Sequence, residues 1–470
     1  MKRLLYLSAA LLLFFAIPSC DKPDEDTEQG QEQVTVDLKK ISQTVSTKVD
    51  KWIFTEKPGF TFQIENKNAA AVQATAKVAI TTDKGAPVET ITKEIEVPAG
   101  KSEFVLSSSK DYGPGFYEAS CTVAYLVDGE LSPYRGARSG VFGVNPTQIV
   151  SAPDKQADFE NFWEAALNQL KAIEMNASLT ELPERSTAAR KAYLVEMNSV
   201  PNGLTGTPEV IRGYYLEPQD GQRHPVIMHY FGYDDLNPTS TVSCPSGGLD
   251  ASFAEFYLST RGQMINNRVA DKRSPSDGKG DFVNSYGDWF AYNFGQRDAY
   301  YYRGAFMDCV QAVRFMASRP TSDFANIFAE GSSQGGAFSY ATAALSVEYP
   351  LRAIAPCVAF LGDFPDYFSI VSWPGDVAKK NKGTMTDAEF WAFLSYFDTK
   401  NLATLINCPV IACIGLVDKT CPPHTNIAPF NNLKVTDKEM YYYPDMGHSI
   451  PGDWQSRYMK FFNDHLQIPT

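Results

Sequence analysis

The chain has 470 residues, 44% of them hydrophobic and 13% aromatic, which is enough apolar material for a large core and far from the polar composition of disordered proteins. Its 42 basic and 55 acidic residues leave a formal net charge of -13, so it carries no electrostatic footprint for phosphate backbones or anionic lipid surfaces, and nucleic-acid binding is set aside. Roughly two to three domains are expected at this length.

Lys2 and Arg3 precede an apolar run from Leu4 to Pro18. The run is too short to span a bilayer comfortably and reads as an export signal, not a transmembrane helix. It closes on Ile17-Pro18-Ser19-Cys20, which resembles the lipobox of bacterial lipoproteins; an ordinary secretory signal with an incidental Cys20 is the alternative. Asp21 to Gln33 is acidic, contains Pro23 and Gly30, and has no aliphatic or aromatic residue, as expected of a flexible tether. Cys20 followed by Asp21, Lys22, Asp24, Glu25 and Asp26 also resembles the surface-export signal of Bacteroidota lipoproteins. The expectation is a signal over 1–20, a tether over 21–35, lipidation at Cys20 and anchoring in the outer membrane, facing the periplasm or the cell surface.

From 36 to 148 the sequence alternates apolar and polar residues between turns, the pattern of an antiparallel sandwich. Phe60, Phe62 and Ile64 alternate, then Ala76, Val78 and Ile80, and Tyr117, Ala119, Cys121, Val123, Tyr125 and Val127 share a face of one long strand. An immunoglobulin-like sandwich is expected, with a carbohydrate-binding module as the functional alternative. From 149 to 470 the pattern changes. Phe159, Phe162, Trp163, Ala166, Leu167 and Leu170 recur at helical spacing, and short apolar strands at Val226 to His229, Ile327 to Glu330, Ile354 to Ala359 and Val410 to Leu416 each end in a polar loop. This pattern predicts a mostly parallel sheet with flanking helices and its chemistry at the strand ends.

The chain has eight cysteines. With Cys20 set aside the remainder is odd and lacks framework spacing. Cys121 falls in the alternating strand, while Cys408 and Cys413 flank an apolar strand, so core packing is expected. No C-x-x-C or H-x-x-x-H pair is present, so neither a metal nor a cofactor is expected.

Gly331-Ser332-Ser333-Gln334-Gly335 is a G-x-S-x-G segment, whose glycines let a strand turn sharply into a helix while exposing the central serine. A glycine-rich surface turn would fit the pentapeptide alone, but Asn326 to Glu330 reads as a strand directly before it and Ala337 to Leu345 as a helix directly after. A serine needs a base to take its proton, and there are five histidines. His448 comes after the strand-like run Tyr441 to Tyr443 and precedes a terminal helix, where the chain order serine, acid, histidine places the base. Asp418, after the strand ending at Leu416, is the expected acid; Asp363 and Asp445 are competitors, Asp445 the poorer one because it shares the loop of the base.

Five blocks in order resemble carbohydrate esterase family seven, the acetyl xylan esterase and cephalosporin C deacetylase group. They are Arg261-Gly262-Gln263, Tyr300 to Arg303 running into Asp308 and Ala312-Val313, Gly331 to Gly336, Phe360 to Phe364, and Gly415 to Pro423. The resemblance covers roughly Asp158 to the C-terminus. It implies an α/β hydrolase fold, a triad of Ser333, Asp418 and His448, and an oxyanion hole from the backbone amides of Tyr233 and Gln334. The chain departs from the family at Phe231 and at Ser449, where the family shows His and Glu, and its segment from Met264 to Tyr286 looks longer and more polar. Ring-like hexamers in the family imply a homo-oligomer, set against an N-terminal sandwich and lipid anchor that are additions.

The expected activity is removal of acetyl groups from acetylated xylan or related oligosaccharides through an acyl-enzyme. Alternatives are a surface glycan-binding lipoprotein with an inactive hydrolase domain, a general short-chain carboxylesterase, and a serine peptidase of the prolyl oligopeptidase kind. The last would need a β-propeller for which the chain has no room. Tyr233 and Phe231 on one loop and Phe360 on another are expected to crowd the acyl side of Ser333.

Overall fold

A computed structural model describes residues 36–233, 242, 245–263, 265 and 286–467. Cys20, the export signal, the tether and most of the polar stretch before Tyr286 lie outside the described residues.

The N-terminal part contains β1 (Ile41–Ser46), β2 (Ile53–Phe54), β3 (Gly59–Asn66), β4 (Val72–Thr82), β5 (Pro87–Val97), β6 (Gly100–Ser107), β7 (Gly115–Val127), β8 (Glu130–Leu131) and β9 (Arg135–Val144). They form two sheets, β1-β3-β6 and β2-β9-β7-β4-β5, with β8 on β7. Alternation makes them: in β4 Val72, Ala74, Ala76, Val78 and Ile80 are buried, and in β7 Ala119, Cys121, Val123 and Tyr125 are, so each strand turns one face to a shared interior. Phe60 of the first sheet meets Phe142 of the second edge-on at 5.6 Å. Tyr117 and Val127, expected on the same face of β7, are only half-buried.

The C-terminal part is built on nine strands: β10 (Ser178–Glu181), β11 (Arg190–Ser199), β12 (Glu209–Pro218), β13 (His224–Tyr230), β14 (Ala254–Ser259), β15 (Ser322–Ser332), β16 (Ala353–Cys357), β17 (Val410–Gly415) and β18 (Lys438–Tyr443). Their order is β10-β11-β12-β14-β13-β15-β16-β17-β18. The pairs as far as β12-β14 are antiparallel, and those from β14-β13 onward are parallel. Around the sheet lie α1 (Phe159–Ala172), α2 (Tyr301–Ala317), α3 (Gln334–Leu345), α4 (Phe364–Ile370), α5 (Gly375–Asn381), α6 (Asp387–Ser395), α7 (Thr399–Leu402), α8 (Pro423–Asn432) and α9 (Trp454–Asp464).

The central strands are apolar because helices cover both faces: all six residues of β17 are buried. In α1 the buried residues are Phe159, Phe162, Trp163, Ala166 and Leu170, the spacing that puts side chains on one face. Each large one stabilises by about 1.5–3 kcal/mol, and the Trp163 indole also donates to the Tyr396 carbonyl at 3.2 Å. This is the α/β hydrolase fold. Asn431 of α8 donates to the carbonyls of Pro146 (3.0 Å) and Ile149 (2.9 Å), fastening the segment that leaves the N-terminal strands to a helix of the C-terminal part.

Candidate active site

β15 ends at Ser332 and α3 begins at Gln334, so Ser333 stands alone in the turn between them. Its φ of 58° and ψ of -122° are a conformation that a side-chain-bearing residue keeps only when its surroundings fix it. They do: the Ser333 amide donates to the Cys357 carbonyl at 2.9 Å, and the Phe360 amide donates to the Ser333 carbonyl at 3.0 Å. A Cβ on Gly331 would lie 2.5 Å from the Gly335 carbonyl carbon, and one on Gly335 would lie 2.3 Å from the Tyr230 oxygen. Backbone blocks both positions, so the glycines are required by the close approach itself.

His448 lies on the loop after β18. Its Nε2 is 2.9 Å from Ser333 Oγ and its Nδ1 is 2.8 Å from Asp418 Oδ2. A carboxylate only accepts, so Nδ1 carries the proton toward Asp418 and Nε2 is left to accept from the serine. The other oxygen of Asp418 accepts from the amides of Thr420 (2.8 Å) and Cys421 (2.9 Å), and its side chain is fully buried. The loops of Asp418 and His448 are tied together, Leu416 N to Tyr443 O at 2.9 Å and Val417 N to Met446 O at 3.2 Å.

The other histidines are engaged elsewhere. His224 contacts Asp220 and the Ser252 carbonyl, and His465 contacts Asp437 and the Phe461 carbonyl. His229 lies between Glu330 (2.6 Å) and Glu255 (3.4 Å); burial opposes its charge, but its interactions with the two carboxylates outweigh this and lift it to about 9. Of the competing acids, Asp445 pairs with Arg138. Asp363 receives Lys400 Nζ at 2.8 Å and His424 Nε2 at 3.1 Å. Asp363, Asp366 and His424 have ligand-type atoms close together, but Lys84, Lys400 and His424 already meet the charge of the two aspartates, which makes the trio an ion-pair network.

Gln334 opens α3, where an amide has no acceptor within the helix and faces outward from its positive end. A Cβ on Gly232 would be 3.7 Å from Ser333 Cβ, so the Phe231-Gly232-Tyr233 loop runs past Ser333. That loop is held by Gln263, which donates to the Gly232 carbonyl at 3.3 Å, and by the Tyr233 hydroxyl, which donates to Asp288 (2.7 Å) and accepts from the Phe290 amide (3.1 Å). Tyr302 donates to the Gln334 side chain at 2.9 Å. Arg261 and Asp308, separate blocks of sequence, form one buried pair at 2.6 Å.

Tyr233 packs edge-on against Phe360 at 6.1 Å and Trp373 at 5.5 Å, and Phe360 stacks on Trp373 at 5.2 Å. Phe231 does not join them. It packs near Tyr257 in a separate apolar cluster, because β13 ends at Tyr230 and strand alternation no longer orients the residues beyond that point. Trp373 replaces it in the aromatic group. It comes from the link between α4 and α5, where the sequence has no periodicity to place it.

A family model described as acetyl xylan esterase (AXE1) matches residues 148–466. The acetyl esterase Axe7A of Xylanibacter ruminicola is 26% identical over 324 residues, 65% of this chain and 66% of that protein, so the match spans just under two thirds of the relative's length. Acetyl xylan esterase 1 from Thermoanaerobacterium sp. JW/SL YS485 superposes with a TM-score of 0.55 at 22% identity, over 68% of this chain and 98% of its own. The acetyl xylan esterase from Paenibacillus sp. R4 gives 0.57 at 24%, over the same shares. These two likenesses establish the common fold.

Proposed function

The chain belongs to the acetyl xylan esterase family, and from that premise we propose that residues 149–470 form a serine esterase that removes acetyl groups from acetylated xylan or related oligosaccharides. The observation that carries this is the hydrogen-bonded relay from Ser333 Oγ through His448 to Asp418. His448 Nε2 takes the Ser333 proton as Oγ adds to the acetyl carbonyl. The amides of Tyr233 and Gln334 receive the negative charge that develops on the carbonyl oxygen. His448 then returns the proton to the departing sugar oxygen, leaving acetyl-Ser333. Water, deprotonated by the same nitrogen, adds to that ester; as the bond from the acyl carbon to Ser333 Oγ breaks, His448 returns the proton to Oγ, and the freed acetic acid ionises to acetate. Asp418 keeps the imidazole in the required tautomer throughout. An inactive, purely glycan-binding hydrolase domain would have no need of this relay.

Tyr233, Phe360 and Trp373 pack on one another, and we read them as the wall of the acyl side, which would admit a methyl group and exclude longer chains. One surplus methylene in such a pocket costs about 1–3 kcal/mol, and a chain that displaces backbone costs more. Acetate release from acetylated xylo-oligosaccharides, with a p-nitrophenyl ester chain-length series at fixed pH, tests the reading. We expect acetate release, kcat/KM falling steeply from acetyl to butyryl, and octanoyl essentially unprocessed. A maximum at butyryl or longer would make the protein a general carboxylesterase.

The two N-terminal sheets are read as an immunoglobulin-like sandwich over 36–148. Cys20 is read as the lipidated residue of an outer-membrane lipoprotein, on the strength of the apolar run and the acidic tether around it.

A further inference from the structure

We propose that the N-terminal β unit braces the loops of the base and acid, with Arg138 as the positioning residue for the His448 loop; this rests on the esterase reading above. Arg138, in β9, forms an ion pair with Asp445, three residues before His448. Its guanidinium lies 3.9 Å over the ring of the buried Trp52. Lys51, next to Trp52, stands 5.3 Å over Tyr441 of β18, the strand that leads into the same loop. Asp445 lies between Tyr443 and Met446, whose carbonyls accept the Leu416 and Val417 amides. A shift of Asp445 therefore moves the segment that ties His448 to the Asp418 loop.

A second contact reaches the acid from behind. Lys84, in the β4-β5 turn, pairs with Asp366 of α4, and Asp366 also contacts His424 Nε2 at 2.9 Å. The adjacent Tyr367 donates its hydroxyl to the Thr420 carbonyl, and the Thr420 amide in turn donates to Asp418. One folded unit thus touches the supports of both triad partners of Ser333.

Exposed ion pairs usually contribute little, because two long side chains must be immobilised to make them. Arg138 escapes most of that cost: stacking on Trp52 already fixes it, and its side chain is 23% exposed against 82% for Asp445. The pair therefore acts on the more exposed partner, the carboxylate of the base loop. Small displacements of a catalytic group are expensive in rate, so the effect should fall on kcat and leave KM nearly unchanged.

The test is a double-mutant cycle in the full chain, read by p-nitrophenyl acetate kinetics and by hydrogen exchange of segment 444–449. Arg138→Ala and Asp445→Ala should each lower kcat roughly threefold to fivefold, with KM within about twofold. The double variant should be no worse than either single one, which is the signature of a shared interaction. Arg138→Lys should retain most of the activity, and exchange in 444–449 should quicken in both alanine variants. Wild-type kcat in the single variants, independent losses that multiply in the double one, or unchanged exchange would each overturn the brace. A wild-type chain with no Ser333-dependent acetate release would instead sink the esterase reading, and the exchange measurement would still decide the brace.

Discussion

Ser333, Asp418 and His448 come from the loops after β15, β17 and β18, and contacts of 2.9 and 2.8 Å bring them into one relay. Ser333→Ala should lose roughly three to six orders of magnitude in kcat while folding normally, and His448→Ala should be comparably severe. Asp418→Asn should cost more activity than Asp363→Asn, because the latter carboxylate serves Lys400 and His424. A reversed order in steady-state kinetics would move the acid to the loop after β16. The sharp turn at Ser333 was legible in the sequence because its glycines answer a purely local demand, backbone passing within a Cβ's reach. The acid was less so. Asp363 and Asp418 both come after a strand, and only the tertiary arrangement shows which carboxylate turns toward His448. Phe231 was misread because local alternation stops where β13 does, and Trp373 was missed because no pattern precedes it.

Among the elements, the strands expected from apolar runs are present, and α1 keeps its helical spacing. β14 gave no such signal: Glu255 interrupts Ala254 to Ser259, and only the fold shows that Arg190 at 2.6 Å satisfies that charge in the interior. The ion-pair network between α4 and α8 carries a pH signature. Burial works against a charged His424, but its hydrogen bonds to Asp363 and Asp366 prevail and raise it to about 9, above its unfolded value of about 6.5. A group raised on folding contributes its stability fully below the unfolded value and loses it as pH climbs through the folded one. Urea unfolding should therefore show stability declining between about pH 6.5 and 9. His424→Gln should flatten part of that slope; His229, likewise held at about 9, and the buried Asp398, pushed up to about 7, contribute to the remainder. An unchanged slope in the variant would show that His424 contributes nothing to it.

For the whole molecule, two ion pairs carry the proposed brace: the N-terminal β unit touches the His448 loop through Arg138 and α4 through Lys84. Nothing in the sequence indicated those contacts, since each joins residues far apart in the chain. If Cys20 is lipidated as proposed, Cys20→Ala should move the protein from the membrane fraction to the soluble periplasm, and unchanged fractionation would leave only a secretory signal. The central claim is that Ser333 carries the acetyl group in transit. Its most direct test is acid quenching of the intact protein during p-nitrophenyl acetate turnover, with mass spectrometry and peptide mapping of the quenched sample. One acetyl group is expected on the peptide containing Ser333, absent in Ser333→Ala; an acetyl group on another residue, or turnover that persists in Ser333→Ala, would contradict the claim.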